Sequence, residues 1–139
     1  MKTILCAVDE SAGAAQAVAV ATSLSTQLGL RLVLAHVVNS YSPSNDGGVG
    51  GQPALVAGAQ LLERVARKHG LDGRADRRAE VGDRVSELSR IAGEEAAVVI
   101  LVGSSGAYRR RRGVLGRLSA DLASTAPCPV VVVPPRPRR

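Results

Sequence analysis

Residues 96–106 read AAVVILVGSSG. Apolar side chains follow one another without a polar break until Gly103. An unbroken run of that kind is the pattern of a strand covered on both faces, since a half-solvated strand would alternate. A strand so covered needs helices above and below it. The flanking sequence supplies both. Before it, Val85, Leu88, Ile91 and Ala92 recur at helical spacing with Asp83 placed to cap them. After it, Leu115, Leu118, Leu122 and Ala126 form a second stripe, halted by Pro127 and Pro129.

The same alternation extends over the whole chain. TILCAV (3–8), LRLVLAHVV (30–38) and PVVVVP (129–134) are further apolar runs, and RADRRAEV (74–81) is the weakest. Ala14, Val18, Ala21, Leu24 and Leu28 make a helical stripe between Ser11, a cap, and Gly29, a stop. Leu55, Ala59, Leu62, Val65, Ala66 and His69 make another, ended by Gly70. Strands alternating with helices predict an α/β fold: one open, parallel, five-stranded sheet with helices on both faces. Residues 1–135 are expected to form a single domain. The stretch 39–53, NSYSPSNDGGVGGQP, reads as a mobile loop, and 136–139 as a basic tail.

Composition narrows the function. The chain has 139 residues, 45% of them hydrophobic, which excludes a disordered polymer. It holds no Phe or Trp and two Tyr, so aliphatic side chains must fill the core. No apolar run reaches bilayer length and the N-terminus has no signal-like segment, so a cytoplasmic location is expected. Cys6 and Cys128 lie in or beside apolar runs and read as small buried hydrophobes. The formal net charge is +6, and its excess is local: from Gly103 onward there are eight Arg against the single acid Asp121. A positive field there attracts anions.

In open α/β sheets ligands bind beyond the carboxyl ends of the strands, where strand order reverses. If the first and fourth strands meet at that point, Asp9 and the Gly103 loop flank the site. Gly103, Gly106 and Gly116 allow close backbone approach or positive φ, or merely turn the chain. Residues 117–119 would form a first helical turn whose free N–H groups favour an anion. Asp9 reads either as a ligand contact or as a helix cap, a task Ser11 performs equally well. His36 reads as a packed strand residue, and His69 as a helix-end residue. No nucleophile–base pair can be assembled, so at most slow hydrolysis is expected.

The spacing Gly103-x-x-Gly106, nine residues, then Gly116 resembles the nucleotide-binding signature of the universal stress protein family. ILCAVDES, LVLAHVV, EVGDRVSELSRIAGEEAAVVILVGSSG and APCPVVVVP are similar to that family's segments along nearly the whole chain. The resemblance implies a Rossmann-like sheet of strand order 3-2-1-4-5 and a homodimer formed through 129–134. It implies ATP, with or without Mg2+, as the ligand. Ala7 and Asp9 would line the adenosine and the Val37 backbone would hold the adenine. Gly103, Ser104, Ser105, Gly106, Ala107, Tyr108 and Arg109 would wrap the ribose and phosphates; Gly116, Arg117, Leu118 and Ser119 would take the phosphates. One position departs: the family has Ser or Thr after the third glycine, and this chain has Arg117. Arg117 is then either a substitute phosphate contact or the mark of a lost site. The competing reading is an arginine loop that binds nucleic acid or an acidic partner; a dimer whose arginine loop is simply solvated is the third.

Overall fold

A computed structural model describes residues 2–9, 11–39, 51–104 and 117–135. Within them the runs and stripes become β1 (Thr3–Ala7), α1 (Ala12–Leu28), β2 (Arg31–Asn39), α2 (Gly51–Lys68), β3 (Asp76–Gly82), α3 (Arg84–Glu94), β4 (Ala97–Gly103), α4 (Arg117–Thr125) and β5 (Val130–Val133). All pairings are parallel, in the order β3-β2-β1-β4-β5. The order therefore reverses between β1 and β4, as the sequence required for a site at that point.

Why both faces need helices is visible residue by residue along β1. Ile4, Cys6 and Val8 face one side, where they pack with Ala17, Val18 and Ala21 of α1 and Leu62 and Ala66 of α2. Leu5 faces the other, with Leu88 and Ile91 of α3 and Leu122 of α4. Each fully buried Val, Leu or Ile is worth roughly 1.5–3 kcal/mol. Among the described residues the core is thus built from many modest aliphatic contributions, with no aromatic anchor. Burial pushes the Cys6 thiol up to about 12, in keeping with a small hydrophobe.

Local signals set the element ends. Ser11 accepts a hydrogen bond from the Ala14 N–H at 3.1 Å, and Gly29 takes φ 67° to stop α1. Asp83 caps α3 by accepting from the Ser86 N–H at 2.9 Å. Two boundaries differ from the sequence reading. Asn39 belongs to β2, paired in register with Gly82, and residues 51–53 belong to α2 rather than to a loop. Pro53 fits that first turn because helical N–H groups there lack partners anyway. Residues 40–50 and the basic tail lie outside the described residues.

The β3 edge, weakest in the sequence, is held by charge. Arg78 pairs with Glu80, Glu94 and Glu95, and Arg31 pairs with Asp76 and Glu95. Arg90 joins Glu80, Glu87 and Glu94. A strand edge dressed with paired charges resists joining a foreign strand. Among the described residues, no helix is long and apolar enough to cross a membrane.

Candidate functional site

The carboxyl ends of β1 and β4 open onto a cleft. It is lined by Ala7, Val8 and Asp9 after β1, Ala35, His36 and Val37 of β2, and Val102 and Gly103 of β4; Ala14, Arg84, Leu88 and Leu118 complete it. Five positions singled out in the sequence, Ala7, Asp9, Val37, Gly103 and Leu118, thus meet from four separate stretches of chain. The enclosed volume is about 40 Å³, room for about one water.

The β1–α1 turn positions Asp9. Its Oδ1 accepts from the Ser11 N–H at 2.7 Å while Ser11 Oγ serves α1. Ser11 is therefore the residue that caps α1, and Asp9 orders the turn just before it without bonding a helical N–H. Only one carboxylate oxygen of Asp9 is committed in that bond. Val8 is fixed from both sides: its N–H donates to the Ala35 carbonyl at 2.8 Å. Its carbonyl lies 2.7 Å from Nδ1 of His36, so that nitrogen carries the proton and donates.

Gly103 has a packing reason to be glycine. A Cβ there would fall 2.6 Å from the carbonyl carbon of Gly13 and 2.8 Å from the Ala14 nitrogen. No side chain fits against that backbone, so β4 ends in direct contact with the first turn of α1. Beyond it the Ser104 N–H donates to the Val133 carbonyl at 2.9 Å, tying the loop start to β5.

The α4 end is built differently from the sequence expectation. Ser119 is buried, and its hydroxyl donates to the Gly103 carbonyl at 3.2 Å. That proton is spent on joining α4 to β4, so it is not offered to a phosphate; the first-turn backbone N–H groups remain for that purpose. The Arg117 side chain is 93% exposed and, among the described residues, reaches the Asp121 carboxylate at 3.8 Å. Such a contact is weak at an exposed site, leaving the guanidinium unconstrained. Ser105, Gly106, Ala107, Tyr108, Arg109 and Gly116 lie outside the described residues.

Two lining residues escaped the sequence reading. Arg84 opens α3 and projects a cation at the cleft, and Leu88 forms its apolar wall one turn on. His36 was read only as packing; it is half-buried and lines the cleft as well. Nothing in the local sequence marks Arg84, because its proximity to Val37 arises from the β2–β3 pairing. Asp9 is the carboxylate among the described lining residues, and no group of three metal-ligating side chains gathers among the described residues.

The fold has counterparts. The model of the universal stress protein family matches residues 1–134. The universal stress protein Sll1654 of Synechocystis sp. is 31% identical over 134 residues, covering 96% of this chain and 85% of that protein. Among solved structures, universal stress protein UspA from Lactobacillus plantarum is similar, with a TM-score of 0.76 at 20% identity, covering 95% of this chain and 97% of that one. A universal stress protein solved in complex with cAMP has a TM-score of 0.70 at 22% identity, covering 97% and 98%. One from Archaeoglobus fulgidus in complex with dAMP has a TM-score of 0.62 at 18% identity, covering 96% and 98%. With the family model spanning nearly its full length, the chain belongs to the universal stress protein family.

Proposed function

We propose that this chain binds an adenine nucleotide, ATP foremost, across the mouth of the β1/β4 cleft, and acts as a dimeric, nucleotide-dependent regulatory module in a stress response. The observation that carries the reading is the convergence of Ala7, Asp9, Val37, Gly103 and Leu118 on one cleft at the strand-order reversal. Structural relatives solved with cAMP and with dAMP support the class of ligand.

The roles follow from chemistry. The uncommitted oxygen of Asp9 accepts a ribose hydroxyl. The Val37 backbone meets the adenine edge, with Arg84 available to lie against the base face. The phosphates run over Gly103, where absence of a side chain permits close approach, towards the first-turn N–H groups of α4. Arg117, exposed and weakly paired, turns to the phosphates in place of the missing hydroxyl. A nucleotide is far larger than the cleft's volume of about 40 Å³, so it lies over the cleft mouth. Mg2+ would be held chiefly by the phosphates, with Asp9 the nearby carboxylate.

Association through β5 fits the same reading. Val131 is 39% exposed on a short edge strand with no partner beyond it among the described residues, and an uncovered apolar edge favours self-pairing.

The test is the ultraviolet spectrum of the purified protein, followed by acid release and chromatography. Lacking Trp, with two Tyr, the chain absorbs weakly, so a bound adenine stands out near 260 nm. Recovery of adenine nucleotide, as purified or after loading with ATP and Mg2+, supports the proposal. A clean spectrum after loading and desalting contradicts it and directs attention to nucleic acid or an acidic partner for the arginine loop.

A further inference from the structure

We propose that the seam between α1 and α2 is a second small-molecule site, which takes an amphipathic carboxylate: an apolar tail with one anionic head. α1 packs mainly on β4, β1 and β5, with lighter contact to β2, whereas α2 packs on β3 and β2. Between the two helices lies a cavity of about 370 Å³, within the size range of small-ligand sites. Its α1 wall is Ala14, Ala15 and Val18, and its α2 wall is Leu61 and Val65. The chain has no Phe or Trp to fill the gap. Its walls are apolar, while Asp9, Ser11, Arg64, Lys68 and His69 give it polar ends, so an occupant with both apolar and polar parts suits it better than water alone.

Charge selects the head group. Lys68 lines the cavity, is exposed, and forms no ion pair among the described residues. Arg64, one turn earlier on the same face, adds a second cation to the rim. His69 beside them is held below its ordinary value chiefly by burial and secondarily by Lys68. Among the described lining residues the carboxylate is Asp9, which precedes α1 and so lies at the opposite end from Lys68. Both helices are crossovers of a parallel sheet, so they run the same way, and the cavity extends from Asp9 and Ser11 at the start of α1 to Lys68 and His69 at the end of α2. From Leu61 to Lys68, seven helical residues span about 10 Å. The head therefore sits at Lys68 and the tail points towards Ala14 and Leu61. A cationic head is disfavoured by Lys68.

The test is calorimetric titration of the full chain with sodium decanoate below its micellar concentration, with decylamine as the opposite-charge control. Saturable one-to-one binding of decanoate without binding of decylamine is the expected result. Lys68→Glu should weaken decanoate by about tenfold or more, the worth of one charge-assisted contact. Ala15→Phe should abolish it by filling the seam. Both positions are exposed, so thermal melting should show the variants folded. No binding of decanoate, equal binding of decylamine, or unchanged affinity in both variants would overturn the proposal.

Discussion

Gly103 and Gly13 meet backbone to backbone: a Cβ on Gly103 would stand 2.6 Å from the carbonyl carbon of Gly13. The end of β4 and the first turn of α1 are thereby locked at the point where the site lies. A residue that suits a phosphate-approach motif is thus also demanded by packing. Gly103→Ala forces the two backbones apart and should destabilise the fold by about 1–3 kcal/mol, as overpacking does. Chemical denaturation measures this; a variant as stable as the parent would show that the contact yields freely.

Ala96 is the non-glycine residue with positive φ among those described, at 55°. Left-handed backbone costs an L-residue about 1–2 kcal/mol, and glycine escapes it while adding some unfolded-chain entropy. Ala96→Gly should therefore raise the melting temperature slightly, by less than about 1 kcal/mol of net stability. A fall in Tm would mean that the Ala96 methyl has packing value.

Acid should weaken the protein in two steps. His69 lies below its ordinary value in the folded chain, through burial and then Lys68. The unfolded chain takes up that proton first, so stability declines as pH drops below about 6.5. Arg78, then Arg90, hold the Glu94 carboxyl low, and hydrogen bonds from Ser86 do so for Asp83. Their contribution is complete above the ordinary carboxylate value, about 4, and lost as pH falls through the lower folded values. Urea midpoints against pH should show both steps. His69→Gln should erase the upper one and Glu94→Gln should shrink the lower one.

The β5 association has its own test. Val131→Lys places a charge on the exposed edge and should give monomers in sedimentation without altering the circular dichroism spectrum. An unchanged dimer would reject that interface.

Much of the fold was readable because runs such as AAVVILV and TILCAV admit no other solution than two-sided burial. β3 was the faint strand because it lies at the edge, where Arg77, Arg78 and Glu80 are tolerated by solvent and by Glu94 and Glu95. The start of α2 was hidden inside a glycine-rich stretch, since glycine-rich sequence reads as loop and Pro53 is permitted in a first turn. Of the site, Asp9 and Gly103 were legible from position at strand ends. Arg84 and the α1/α2 seam were not, because each arises from residues distant in sequence that only the sheet order brings together. Ser119 was legible as a residue but not as a bond; its burial follows from how α4 docks on β4.

Nucleotide binding at the β1/β4 cleft is tested most directly by amide chemical-shift mapping during titration with ATP and Mg2+. Saturable shifts concentrated at residues 7–9, 37, 103–104 and 117–119 are the predicted result. No shifts at millimolar ATP, or shifts that gather elsewhere, would contradict it.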